Sequence, residues 1–433
     1  MKKTKIIAQI VLTTSLWGSS VFAATTSEIK SLRNEFNNIK NSYDKKISDL
    51  ENKSILNNTN STRTIYDNKF NPSIGVILNG KFSSFSKKDS EFAGFAVGEE
   101  GERGKEGVSI GESEVNFSSN IDDKFFGSLT AAIVNEEGSD KVELEEAFIR
   151  TTPGFGLPTG LEVKAGRAFW NLGYLNSHHA HTDDFADRPL PYRAFLNKAF
   201  NDDGAEISYI LPTDLYAEIG GGSYRGDDFP FGGGDGTGQY SSYARIGGDI
   251  GSNQSWRFGF SSLIGEAETG RVTNESNITF IGDSDLYIAD LRYVFAPTGN
   301  SKNQELILQG EYFHRDESGT YDITTPASGA INFNDESSGW YAQTIYKFKP
   351  EWRFGLRYSE LLSPKTPTGL IGTDLDSNNH DPKSYTAMLD WTNSEFSRIR
   401  LQYDHERLSQ NNNDNKFTLQ YIMSFGAHSA HRY

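Results

Sequence analysis

From Ile74 onward, hydrophobic and polar residues alternate with a period of two. Ile74, Val76, Leu78 and Phe82 are interleaved with Gly75, Asn79 and Lys81. Trp352, Phe354, Leu356 and Tyr358 alternate with Arg353, Gly355, Arg357 and Ser359, and Ile399, Leu401 and Tyr403 with Arg398, Arg400, Gln402 and Asp404. Such dyads predict strands with one apolar and one polar face. The segments that read this way are 73–86, 109–120, 124–135, 142–151, 160–169, 204–211, 215–225, 240–250, 255–265, 285–295, 304–314, 338–348, 351–360, 383–393, 397–408 and 416–425.

The connections between these strands alternate in length. Short turns fall at 120–123, 211–214, 250–255, 349–350 and 393–396; long ones at 87–108, 170–203, 226–239, 266–284, 315–337 and 361–382. Short periplasmic turns, long extracellular loops and an even strand number belong to outer-membrane barrels. Aromatic residues on the apolar face and charges on the other separate such a wall from a soluble sheet. The predicted fold is therefore all-β: a transmembrane antiparallel barrel of about 16 strands, with 14 to 18 compatible with the pattern. The parity places both chain ends in the periplasm.

Upstream the pattern differs. Residues 1–23 read as a secretory signal, with Lys2, Lys3 and Lys5, an apolar core from Ile6 to Trp17, and Val21-Phe22-Ala23 before the cut. Residues 24–56 predict a periplasmic helix in which Ile29, Leu32, Phe36, Ile39, Tyr43 and Leu50 keep heptad spacing, until Lys46 and Lys53 enter the seam. Two readings stand: a short coiled coil that gathers subunits into a homotrimer, or a lone amphipathic tether. Residues 57–71 are polar and turn-rich, hence a linker, and 72–433 form the barrel domain.

Composition fits this outline. Hydrophobic residues make up 36% and aromatics 13%, low and high respectively for a water-soluble core, as a wall with one wet face requires. The absence of cysteine excludes disulfides and thiolate chemistry. A net charge of −16 argues against a nucleic-acid partner, whose phosphates need a basic surface.

Sixteen strands leave room for an aqueous channel. Its predicted lining carries both signs of charge: Arg353, Arg357, Arg398 and Arg400 against Glu305, Glu311, Asp390, Asp404 and Glu406. These form either a transverse field that screens solutes or ordinary paired charges. The loop 170–203 is the richest in chemistry. His178, His179, His181, Asp183 and Asp184 combine imidazoles and carboxylates suited to Zn²⁺ or a similar divalent ion, with His178, His181 and Asp183 able to converge. Arg188, Tyr192 and Arg193 follow, in a segment that would narrow the pore if it folds inward. The long loops carry more acid than base, as in 226–239 with Asp227, Asp228 and Asp235, so the mouth should attract cations. No Lys/Arg ladder of the kind a phosphate-selective pore needs is evident. His314 and His405 have no accompanying nucleophile motif, and an enzyme is not expected.

Several stretches resemble a proteobacterial family, the zinc-regulated outer-membrane receptors. They are Asn71-Pro72-Ser73-Ile74 with Ser83-Ser84-Phe85-Ser86, Val142 to Ile149, Ala165-Gly166-Arg167 through Asn176, His179-Ala180-His181 with Asp184-Phe185, Tyr192 to Leu196, Asp202-Asp203-Gly204, and Gln420 to His428. A short helix on a plug-free barrel is also similar to siderophore porins of the legiobactin-receptor type. The resemblance implies uptake of metal ions or metal–siderophore complexes across the outer membrane, with the His-Ala-His pair mapping to His179 and His181. The stretch between the export signal and Ile74 is too short for a plug domain, so energised transport of the usual kind is not expected. The alternative is a general diffusion porin with mild cation preference. Outer-membrane lipid and small solutes are the expected partners.

Overall fold

The computed structural model describes residues 72–426 apart from 88–90, 137–138, 234–235, 272, 274–277, 324–328, 374 and 411. The signal, helix and linker expected over 1–71 lie outside the described residues.

Seventeen strands run in chain order: β1 Ser73–Phe85, β2 Gly107–Ile110, β3 Ser113–Asn120, β4 Phe125–Glu136, β5 Ser139–Thr151, β6 Leu161–Phe169, β7 Asn201–Ile210, β8 Tyr216–Tyr224, β9 Gln239–Asp249, β10 Gln254–Arg271, β11 Ile278–Phe295, β12 Glu305–Ile323, β13 Ile331–Lys349, β14 Trp352–Leu362, β15 Lys383–Ser394, β16 Ser397–Ser409 and β17 Asn412–Gly426. Consecutive strands from β3 to β17 pair antiparallel, and β1 closes on β17 from Gly75↔Gly426 to Phe85↔Lys416. Short β2 and β3 share one edge of β1, at Gly80–Ser83 and Ser73–Ile77, so together they make one broken strand of a 16-strand wall. Closure leaves no sheet edge, and the wall satisfies its own backbone groups as a lipid-embedded sheet must.

The alternation sorts the faces. Along β17, Phe417, Leu419, Tyr421, Met423 and Phe425 are exposed outward, while Thr418, Gln420, Ile422 and Ser424 are buried inward. The same outward set continues through Ile74, Leu78 and Phe82 of β1, Leu308 and Tyr312 of β12, and Phe354 and Leu356 of β14. Trp352 and Trp391, cross-strand partners with ring centroids 6.5 Å apart, stand at the short-turn end, where aromatic girdles meet the interface.

The segments 266–284 and 315–337, expected as loops, are largely strand. β10 and β11 have 18 residues each, and β12 and β13 have 19. Beyond the lipid the outer face of a strand meets water, so the outward apolar signal vanishes at Asp283, Asp285, Asp316 and Ser318. The inward face remains apolar. Ile278, Phe280, Tyr321, Ile323 and Phe333 pack there on Leu370, Leu375 and Ala96 from other long loops.

The core lies inside the cylinder rather than between layers. Trp170, Leu172, Leu175, Leu190, Tyr192, Phe195 and Phe200 of the β6–β7 connection join Phe92 and Phe95 of the β1–β2 connection. Together they pack on Ile288, Phe313, Tyr341 and Leu361 of the wall.

Candidate functional site

The β6–β7 connection turns into the lumen. Pro189 opens the short helix α1 (Leu190–Leu196), and Asn197 in left-handed backbone ends it; all seven helical residues are buried. Gly173 makes the inward turn at φ +58°, where an added Cβ would run into the Glu311 carboxylate. The next two amides, of Tyr174 and Leu175, donate to that carboxylate at 2.9 and 3.4 Å. The hydroxyls of Tyr192 and Tyr341 donate to it as well, Tyr192 at 3.0 Å. Glu311, predicted to line the pore opposite arginines, is instead the acceptor that fixes the loop.

Further along, the loop meets the opposite wall. Arg357 donates to Asp187 Oδ1 at 2.6 Å, Lys416 pairs with Asp187 Oδ2, and Gln402 binds both the Ala186 amide and Asp187. Arg353 bridges Asp184 at 2.7 Å and Asp390 at 2.5 Å. Arg400, fully buried, holds Asp390 and donates to the Asp183 carbonyl at 2.9 Å; Arg398 donates to that of His181 at 2.6 Å. Arg193 joins Glu406 at 2.9 Å and the Gly101 carbonyl, and Asp404 lies 3.4 Å from Lys416. Glu305 is the cross-strand partner of Lys347. On this wall the pore-lining charges are paired, largely to the loop, and do not form an open transverse field. Arg188, Tyr192 and Arg193 all lie in the inward fold, Arg188 donating to the carbonyls of Leu175 and His178 within the loop itself.

These pairings set the charge states of the loop. Burial pushes Asp187 up, but Lys416 and Arg357 hold it well below the usual carboxylate range. Asp184 is likewise held low against burial by Arg353 and Arg292. Burial outweighs Arg188 at Asp183 and raises it to about 6.

The predicted metal set divides. His178 stacks on Tyr174, ring centroids 4.9 Å apart, and burial with Arg188 and Arg292 lowers it to about 4. Asp183 is bound by Arg188 and Asp184 by Arg353, so none of these three joins the other histidines. His179 and His181 converge instead on carboxylates from the wall. His181 Nδ1 lies 2.8 Å from Glu114 Oε1, and His179 Nδ1 lies 3.1 Å from Glu114 Oε2. Glu145 approaches His179 Nδ1 at 3.5 Å and Glu146 its Nε2 at 3.0 Å. Both neighbours point inward because β5 is bulged: Thr130 pairs with Glu146 and Ala131 with Leu144, leaving Glu145 over. Burial alone would lower His179, but Glu114, Glu145 and Glu146 hold it well above the ordinary imidazole value.

An arginine band on the near wall was not legible in the sequence. Arg245, Arg257 and Arg292 sit on β9, β10 and β11, and Arg257 and Arg292 are direct cross-strand partners. Like charges so placed repel. Their guanidinium groups lie 4.9 and 4.8 Å from the Tyr174 ring centre, and Arg245 and Arg257 donate to the Gly173 carbonyl. Arg245 is 3.6 Å from Glu218 and Arg257 3.4 Å from Asp290. The band is assembled by register from residues far apart in the chain.

Solved structures share the architecture. An anion-selective porin from Comamonas acidovorans superposes with a TM-score of 0.52 at 10% identity, covering 82% of this chain and 99% of that one. The chain has the fold of the outer-membrane porins. OprB of Pseudomonas putida gives 0.50 at 12% identity over 84% and 96% of the two chains. The trimer form of OmpT, an outer-membrane protein of Vibrio cholerae, gives 0.50 at 9% over 82% and 99%. A curated protein from Aquifex aeolicus, described as uncharacterized, is 29% identical over 391 residues, 84% of this chain and 80% of its own. No protein-family model matches the chain.

Proposed function

We propose that this protein is a plug-free outer-membrane channel that takes up metal ions or metal–siderophore complexes. The observation that carries the reading is the inward-folded loop, which meets the barrel wall on opposite sides with opposite chemistry. Toward β3 and β5 it presents His179 and His181 to Glu114, Glu145 and Glu146; toward β9–β11 it runs beside Arg245, Arg257 and Arg292. A cation meets ligands on one side, and the anionic groups of a chelate meet guanidinium groups on the other. The motifs shared with the zinc-regulated receptors and the porin fold support the same reading. Porin function in the broad sense, with a homotrimer assembled through the N-terminal helix, belongs to this proposal.

The test is uptake of labelled metal and labelled chelate by a deletion strain under metal limitation, with bilayer conductance titrated by the same ligands. Impaired uptake with ligand block of the current supports the proposal; normal uptake with no block refutes it. The acid excess of the outer loops favours the second reading, a general diffusion porin with mild cation preference, which predicts unblocked current and cation-biased reversal potentials.

A further inference from the structure

We infer that Glu114, Glu145, His179 and His181 form a resident divalent-cation site, of the zinc type, that staples the constriction loop to the barrel wall. The site uses donors that the channel reading also invokes, but it claims only an ion held at rest and read by binding rather than by uptake, so the two can fail separately.

Three elements distant in sequence supply the donors: β3, the bulge of β5 and the inward loop. Glu114, His179 and His181 each bring a ligand atom within 4.8 Å of the others, and Glu112, Glu114 and Glu145 form a second such set sharing Glu114. Separations of 2.8, 3.1 and 3.5 Å, the first two to different oxygens of Glu114, bracket the about 3.3 Å between donors on a tetrahedral ion with metal–ligand bonds of about 2.0–2.1 Å. Hydrogen bonding accounts for only part of the arrangement, joining His181 Nδ1 to Glu114 and His179 Nε2 to Glu146. Glu145 is 9% exposed and its Oε2 has no hydrogen-bond partner, while it faces the His179 imidazole. His179 Nδ1 also lies among carboxylate oxygens without a hydrogen bond of its own.

Charge points the same way. Glu112, Glu114, Glu145 and Glu146 crowd two imidazoles, with Lys81 near Glu112 and Lys164 near Glu146 the flanking cations. A buried excess of carboxylate is costly unless paired or metal-bound. A divalent ion would neutralise it. His179 Nε2, which faces Glu146 at 3.0 Å, would then have the carboxylate partner that orients metal-binding imidazoles.

The experiment is equilibrium dialysis of full-length, detergent-purified protein against Zn²⁺, comparing wild type, Glu114→Gln, Glu145→Gln and His178→Ala. Binding of roughly one ion per chain is expected, weakened about tenfold or more by either glutamate change and unaltered by His178→Ala. Heat-modifiable migration on gels verifies that each variant is a closed barrel. Should the glutamate variants fail to fold, Co²⁺-loaded wild type suffices: X-ray absorption should show scattering from two imidazoles. Unaltered affinity in both folded glutamate variants, loss on His178→Ala, or absence of imidazole scattering would overturn the site.

Discussion

Replacing Glu311 by Ala should release the constriction loop while leaving the barrel closed. The carboxylate accepts from the amides of Tyr174 and Leu175 and from the hydroxyls of Tyr192 and Tyr341. Each buried donor left without its partner costs about 1–3 kcal/mol, and the terms for the donors that lose Glu311 are not simply additive. A loss of about 3 kcal/mol multiplies the undocked loop population by more than about 100. The wall is unaffected because β12 pairs with β11 and β13 along nearly its whole length. In planar bilayers the variant should show larger and noisier single-channel conductance, and in vesicles faster proteolysis within 170–200. Wild-type conductance and protection in a correctly closed Glu311→Ala barrel would refute the account of how the loop is held.

Three further outcomes follow from the same geometry. His178 is neutral when docked, with a value near 4 against 6.5 when free, so the released loop takes up protons that the docked one refuses. Asp183, near 6 when docked against 3.8 when free, opposes this over nearly the same range, so the wild-type profile should be shallow and His178→Phe should make docking strengthen as pH falls from about 6 toward about 4, read as conductance noise; a profile identical to wild type contradicts the assignment. Asp187 is depressed, so its anchoring is fully present above its free value of 3.8 and lost only far below it; Asp187→Asn should destabilise docking by about 1–3 kcal/mol at neutral pH, read as increased proteolysis, and unchanged protection would count against it. The double change Arg257→Gln and Arg292→Gln removes two guanidinium groups from the waist and should shift the reversal potential in a salt gradient toward cations; no shift would mean that the band does not face the conduction path.

The barrel was legible because lipid outside and polar lumen inside impose a strict dyad. β14 and β16 read within a residue or two of their observed bounds from alternation at Trp352–Tyr358 and Ile399–Tyr403. That signal fails where lipid ends, which is why the outer halves of β10–β13 read as loops. The site was legible only in part. His179-Ala180-His181 stood out as local imidazoles, but Glu114 and the Glu145 bulge reach them through strand register and a broken β1 edge. Asp183 and Asp184, adjacent in sequence, are instead bound by Arg188 and by Arg353. Arg257 and Arg292 are 35 positions apart and meet only through the β10–β11 pairing.

The central claim, a closed barrel whose 170–200 segment lies across its own lumen, can be tested by cross-linking. The chain has no cysteine, so introduced thiols carry no background. Ala186→Cys with Gln402→Cys joins loop to far wall, where the Ala186 amide donates to the Gln402 side chain at 2.7 Å. Ser83→Cys with Thr418→Cys, cross-strand partners on β1 and β17 at the closing seam, reports barrel closure. In outer-membrane vesicles treated with a short thiol cross-linker, the account predicts linkage of both pairs. Linkage of the wall pair alone, with the 186/402 thiols freely labelled, would contradict it.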